Sequence, residues 1–263
     1  LEEQVKRILI TNDDGINSPG IMALKQALIP LGKVIIVAPD RDNSAISHAL
    51  TMNRPLRLHA LQKDLYCLDG TPTDCVAVAL NKIFKKLPDL LVSGINSGAN
   101  IGDDISYSGT VSAAIEGTMY SVPSLAVSIT GEPPFSYEST YDIIRELAAK
   151  TLENGLPANT LMNVNIPAGT HINGLRVTRQ GRRIWKQSVQ EVADPRGRIH
   201  YWIGGGVPLL DAGRDTDVHA ISNGYVSVSP IHLDLTNHEG ISYFRDDLNL
   251  ETIPAIAKFN PSS

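Results

Sequence analysis

The sequence predicts an α/β protein built on a Rossmann-like, doubly wound, mostly parallel sheet, and three observations carry that expectation. Strand-like and helix-like segments alternate from residue 7 to about residue 166. The strand-like runs are apolar throughout, as strands buried on both faces are. Three of them end abruptly in polar loops, and in open α/β sheets ligands bind beyond the carboxyl ends of the strands.

Taken in order, Arg7-Ile8-Leu9-Ile10-Thr11 reads as the first buried strand, closing in Asn12-Asp13-Asp14-Gly15. Side chains alternate faces along a strand, so adjacent carboxylates serve one site only where the chain is already turning, which Gly15 permits. Ser18 or Asn17 caps a helix that follows Pro19-Gly20 over Ile21–Leu28 and ends at Gly32. Val34–Ala38 is the second strand; it completes a right-handed βαβ unit and opens into Pro39-Asp40-Arg41-Asp42-Asn43-Ser44. Thr51–Leu58 and Tyr66–Leu68 read as strands, and Asp69-Gly70-Thr71-Pro72 turns into a helix from about Thr73 to Phe84. The buried strand Asp89–Ser93 ends in Gly94-Ile95-Asn96-Ser97-Gly98-Ala99-Asn100. Ser108-Gly109-Thr110 then opens a helix through Met119, followed by a strand over Ser124–Ile129. Gly131–Phe135 is the first break, ahead of a helix over about Glu138–Leu152 and a strand over Leu161–Ile166.

Beyond Gly174 the pattern changes. Leu175–Arg179 is extended, and the segments around Trp185 and Tyr201 read as a protruding β-hairpin turning at Pro195-Arg196-Gly197. An arm with an exposed Trp185 or Trp202 suits burial in another subunit. Arg176, Arg179, Arg182, Arg183 and Lys186 cluster as a solvated or interface face. Tyr225–Ser229 is a late strand before a short terminal helix. The expected division is a catalytic α/β domain over 1–173, with 174–263 carrying the arm, the late strand returning to the active site and the C-terminal helix.

At 263 residues the chain can bury a full core without disulfides, and its formal charge of −5 argues against a nucleic-acid polymer as partner. A small anionic substrate needs only a local positive site. Cys67 and Cys75 lack metal-binding spacing and read as buried small hydrophobes. No apolar run approaches the roughly 18 residues of a membrane span, and the first residues lack a signal-peptide core, so a cytoplasmic protein is expected.

Two unit charges about 4 Å apart repel by roughly 4 kcal/mol at an effective dielectric of 20, so the Asp13–Asp14 pair calls for a proton or a cation. The plainer alternative has one Asp capping the next helix and the other solvated. Three loops, Asn12-Asp13-Asp14, Asp42-Asn43-Ser44 and the one holding Asn96, offer hard oxygen donors and neither His nor Cys, which suits Mg²⁺ or Mn²⁺, with Ca²⁺ as a further occupant. Ser108-Gly109-Thr110 adds a helix start able to bind phosphate. Rival folds fit less well. A receiver domain needs another Asp after its third strand, a haloacid-dehalogenase-type phosphatase wants Asp-x-Asp, and neither GxGxxG nor GxxxxGK[ST] is present. The rival of another class is a nonenzymatic nucleotide- or phosphate-binding module.

The chain resembles the survival protein SurE family of nucleotidases. The resemblance rests on Ile10-Thr11-Asn12-Asp13-Asp14-Gly15, Val37-Ala38-Pro39-Asp40-Arg41-Asp42-Asn43-Ser44-Ala45, Asp69-Gly70-Thr71-Pro72-Thr73-Asp74-Cys75-Val76, the run from Pro88 to Asn100, Tyr107-Ser108-Gly109-Thr110-Val111-Ser112-Ala113-Ala114, and Ser229 to Thr236. It implies a phosphatase dependent on one divalent cation that acts on nucleoside 5'-monophosphates, with 3'-monophosphates and short polyphosphate as further substrates. It further implies Asp13, Asp14, Ser44 and Asn96 as metal ligands, and Asn12, Ser108, Gly109 and Thr110 around the phosphate. Asp13 or Asp14 would serve as base or nucleophile, and Asp234 and His238, with His232 as competitor, as the late acid and histidine. Homodimers or homotetramers built through the hairpin arm and C-terminal segment complete the implied picture.

Overall fold

A computed structural model describes residues 5–131, 133–169, 171–186, 189–204, 206–211 and 213–252. The strands are β1 (Arg7–Thr11), β2 (Lys33–Pro39), β3 (Leu58–Gln62), β4 (Leu65–Leu68), β5 (Leu90–Ser97), β6 (Ser124–Thr130), β7 (Thr160–Pro167), β8 (Leu175–Val177), β9 (Arg182–Lys186), β10 (Val189–Ala193), β11 (Ile199–Ile203), β12 (Val207–Asp211) and β13 (Val226–His232). The longer helices are α1 (Pro19–Leu28), α2 (Pro72–Val78), α3 (Gly109–Met119), α4 (Tyr141–Asn154) and α5 (Asp217–Ser222). The chain divides into two compact units, Leu1–Leu233 and Asp234–Ser263.

The first unit is built on a sheet of order β3-β4-β2-β1-β5-β6-β7-β13-β8. Its middle is parallel from β4 to β7, while β3 runs against β4 and β13 against β7. This is the expected doubly wound sheet, and its winding reverses between β1 and β5. A crevice forms at such a reversal because the connections leave to opposite faces. The apolar runs explain the layering. Ile8 and Ile10 pack beneath Ile21, Leu24 and Leu28 of α1 and Ile144 and Ala148 of α4. Leu9 faces the other side, with Val76 of α2 and Val111 and Ala114 of α3.

Helix starts agree with the local sequence. Ser18 caps α1 ahead of Pro19 and accepts from the Ile21 N–H. Thr71 and Asp74 form a reciprocal capping box on α2.

Two expectations need correction, and one helix was not anticipated. Residues 51–57 are not a strand; the pairing begins at Leu58, and Thr51 instead donates its N–H and hydroxyl to Asp74 at 2.9 and 2.6 Å. The Trp185 segment does not pair with the Tyr201 segment: Trp185 lies opposite Pro208 in the antiparallel β9–β12 pair, and Tyr201 opposite Glu191 in β10–β11, with its turn near Pro195-Arg196-Gly197. The helix α5 escaped the sequence reading because six residues carry too little periodicity.

Asp217, the first residue of α5, is fully buried. Its carboxylate accepts from the N–H groups of Gly181 and Gly102 at 2.8 and 2.9 Å, tying the start of the arm to the 3₁₀ turn Gly102–Tyr107. The second unit is described as far as Thr252 and contains short helical turns from Gly240. Among the described residues no helix is long and apolar enough to cross a membrane.

Candidate active site

The site lies where the winding reverses. Asp13 lies two residues past the end of β1 and is 3 % exposed. Both of its oxygens are held by the first turn of α3: the Thr110 N–H donates to Oδ2 at 3.0 Å and the Thr110 hydroxyl to Oδ1. This approach requires Gly109, because a Cβ there would lie 2.8 Å from the Asp13 Cβ and 3.0 Å from its Oδ2. Ser108 caps the same helix and accepts from the Val111 N–H at 3.1 Å. The anion-binding end of α3 is therefore already turned toward a carboxylate.

Asp14 accepts from the Ser97 N–H at 3.3 Å, which links β1 to the end of β5. Burial first, and the Asp13 charge second, push its carboxyl up to about 6. Burial likewise raises Asp13, against the lowering effect of Thr110. Among the described residues neither carboxylate has a Lys, Arg or His ion-pair partner. Two adjacent acids shifted in this way are stabilised by a cation.

Two neutral oxygens complete the reading. The Ser44 hydroxyl donates to Asp42 Oδ1 at 2.6 Å, which leaves its lone pairs for another partner. Asn96 uses its N–H to bond the Gly98 carbonyl at 2.9 Å, so its Oδ1 is the atom available to a cation. Asn96 sits where the β5–β6 register shifts, between Ser93 and Asn96, the kind of bulge that re-aims a side chain. The loop after β2 is held in place too. Asn43 N–H donates to the Asp13 carbonyl at 2.8 Å, and Ser47 N–H to the Tyr107 carbonyl at 3.0 Å. Ala45 and Ser47 take left-handed backbone, φ 58° and 57°, a strain such anchoring sustains.

Asp13, Ser44, Asn96 and Ser108 line one cavity of about 780 Å³, walled by Asn100, Asp103, Asp104, Tyr107, Arg183 and Trp185. Asn12 is fully buried, and its amide donates to the Gly15 carbonyl and Ser18 Oγ at 2.9 and 2.8 Å, bracing the turn, while its Oδ1 has no protein partner. Asp234 and His238 belong to the second unit, where His238 Nε2 lies 2.7 Å from Asp234 Oδ2. Bonds from Thr236, then His238, hold the Asp234 carboxyl well below the usual range. His232 ends β13 in the first unit.

The donor set fits a hard divalent cation. Two carboxylates match its charge, the neutral donors are oxygens, and no cluster of three or more His, Cys, Asp or Glu competes among the described residues.

Sequence reasoning placed Asp42 in a donor loop without its role of orienting Ser44, and it gave no role to Asn100. The latter's carbonyl accepts from Asn163 and Asn165 at 2.9 and 3.0 Å, and its amide donates to Ser128 at 2.8 Å, which fastens the cavity wall to β6 and β7. The only sequence signal was Asn163 and Asn165 inside an apolar strand, polar residues that require buried partners.

Comparison with known proteins gives a consistent result. A family model described as survival protein SurE matches residues 8–187. A protein named 5'-nucleotidase SurE from Syntrophotalea carbinolica is 53% identical over 232 residues, 88% of this chain and 92% of that protein. One of the same name from Caldanaerobacter subterraneus subsp. tengcongensis is 45% identical over 89% of this chain and 94% of its own length. The crystal structure of the SurE protein from Aquifex aeolicus superposes with a TM-score of 0.82 at 43% identity, covering 93% of this chain and 99% of that one.

Two outcomes follow from the geometry. Gly109→Ala drives a methyl into Asp13, and a displacement of that order lowers kcat/KM on AMP about 10- to 100-fold. Asp14 tests the electrostatics. A carboxyl raised in the fold adds stability below its unfolded pKa that is lost as pH rises through about 6. Asp14→Asn therefore raises the melting temperature of EDTA-treated protein by about 2–4 °C near pH 8 and leaves it unchanged near pH 4. Added Mn²⁺ then stabilises the wild type and not the variant. Thermal melts at both pH values check this, and a lower EDTA melting point for the variant near pH 8 would count against the reading.

Proposed function

From the premise that this chain belongs to the survival protein SurE family, we propose that it is a 5'-nucleotidase, a metal-dependent phosphatase of nucleoside 5'-monophosphates. The observation that supports the reading is a buried carboxylate, Asp13, with the half-buried Asp14 next to it, neither with a cationic partner among the described residues, and with Asp13 sharing one cavity with a helix start and two neutral oxygen donors. Nothing specific favours a nonenzymatic binding module.

Asp13, Asp14, Ser44 and Asn96 are proposed to hold one divalent cation, Mg²⁺ or Mn²⁺. When bound, it neutralises phosphoryl oxygens and activates or orients a water. Monoester hydrolysis is among the slowest uncatalysed reactions, so this charge neutralisation is a large part of what the site must supply. The chain's own groups do the positioning. Asp42 fixes the Ser44 hydroxyl, the β5 bulge aims Asn96, and the start of α3 at Ser108-Gly109-Thr110 presents positive dipole to the phosphate. Asn12 supports that end through the turn it braces. Either Asp13 or Asp14 serves as base or nucleophile, and Asp234 orients His238 as the acid for the leaving nucleoside oxygen.

Assembly and setting are part of the same reading. Val189, Val192, Ile199, Tyr201 and Trp202 of β10–β11 are exposed, a patch suited to another copy of this chain. A homodimer or homotetramer is proposed, and sedimentation of the wild type against Trp202→Glu checks it, the variant being expected at lower mass. Cys67 and Cys75 are buried free thiols, which accords with the reducing cytoplasm as the proposed setting, read directly by cell fractionation.

The deciding experiment strips the protein with EDTA and measures phosphate release from AMP before and after Mg²⁺ or Mn²⁺ is restored. Activity returns with metal in the wild type and falls by at least about 100-fold in Asp14→Asn. His238→Ala is expected to lose about 10²–10⁴-fold in turnover. Metal-independent release by both wild type and Asp14→Asn would overturn the site, and near wild-type turnover in His238→Ala would remove the proton donor.

A further inference from the structure

The cavity continues past the carboxylates to a wall that hydrolysis itself does not use. On that wall the Arg183 guanidinium lies over the Trp185 ring, 4.6 Å from its centroid. One carboxylate holds both: Asp104 Oδ1 accepts from the Trp185 indole N–H at 2.9 Å, and Asp104 Oδ2 lies 3.0 Å from Arg183 Nη1. Asp103 Oδ2 accepts from the Arg183 backbone N–H at 2.8 Å, which fixes the strand to the same turn. Trp185 is nonetheless 40 % exposed, and both members of the stack line the cavity that also holds Asp13 and Ser44.

An exposed indole is ordinarily a loose surface ring. Here the N–H is satisfied and a cation already sits on the π system, so the ring's orientation is set before any ligand arrives. Pre-set flat groups bind flat groups with little ordering cost. Ile184 and Ile203 add apolar rim to the same cavity. The phosphate end and the flat, apolar wall are thus two chemistries in one cavity, matching a ligand with an ionic end and an aromatic end.

Resting on the nucleotidase reading, we propose that the Arg183–Trp185 stack is the platform for the substrate's nucleobase, with Asp104 as the positioning residue that holds it. Stacking on an aromatic platform acts on binding of the base and not on the reacting phosphorus, so its loss appears in KM and spares kcat.

The chain has two tryptophans, so a Trp202→Phe protein carries Trp185 as its sole indole reporter. In that background AMP and adenosine, in the presence of Mg²⁺, are expected to quench the fluorescence, and ribose 5-phosphate is not. Kinetics on the full-length enzyme supply the second reading. Trp185→Leu raises KM for AMP about 5- to 150-fold, while kcat/KM for ribose 5-phosphate, the same ester without a base, stays within about twofold. Trp185→Phe retains most of the AMP affinity, and Asp104→Asn falls between. Equal losses on both substrates in Trp185→Leu, or an adenosine-insensitive indole, would overturn the platform. If instead the wild type releases no phosphate from AMP with metal present, the nucleotidase reading fails, and adenosine quenching still decides the platform by itself.

Discussion

A single contact organises the site: the Asp13 carboxylate, nearly removed from water, seated on the first turn of α3 by two bonds from Thr110. It joins the end of the central strand to the helix that covers the sheet's opposite face, so neither can shift without exposing or orphaning a charge. Leaving a buried charged group unpartnered costs several kcal/mol. The seat therefore fixes backbone geometry as firmly as packing does. It also explains the glycine at position 109, where an added carbon would occupy the space the carboxylate needs.

The rest of the site is arranged around that seat. The loop after β2 is drawn in by the bond from Asn43 to the Asp13 carbonyl, and it places Ser44 in the same cavity as Asp13. The end of β5 is drawn in through Ser97 and Asp14, and the bulge there turns Asn96 to the same cavity. Three chain segments far apart in sequence converge because the winding reverses between β1 and β5. A doubly wound sheet opens a crevice there whatever its ligand. What is particular to this chain is the decision to line it with like charges.

Much of this was legible in the sequence, for identifiable reasons. Ile8 to Ile10 are apolar on both faces, so β1 announced itself as central, and its abrupt end in Asp13-Asp14 announced the site. Local signals of this kind survive folding because capping and strand termination are decided within a few residues. What could not be read was set at long range. That Trp185 lies opposite Pro208 depends on a register propagated along the arm, which no turn signal near Trp185 encodes. Asp217 and Asp104 carry no local sequence signal, yet each matters through groups some 80 to 115 positions away in the chain. Residues 51–57 looked extended and apolar enough for a strand, but Thr51 found Asp74 first, and a side-chain acceptor replaced the ladder.

The distribution of charge around the cavity is the more telling property. Asp103 and Asp104 on the wall face Arg182 and Arg183 across 3.3 and 3.0 Å, so each wall carboxylate already has its counter-ion. Asp13 on the floor and Asp14 next to it in the chain have none among the described residues, and Asp42 adds to their repulsion. A divalent cation entering this cavity therefore meets an attractive field at the floor and an offset one at the wall. The same arginines keep the wall from repelling a phosphate-bearing ligand as it enters. Pairing one acid set and leaving the other unpaired thus gives the cavity its direction: the ionic end of a ligand goes to the floor, and the wall is left for a group that carries no charge.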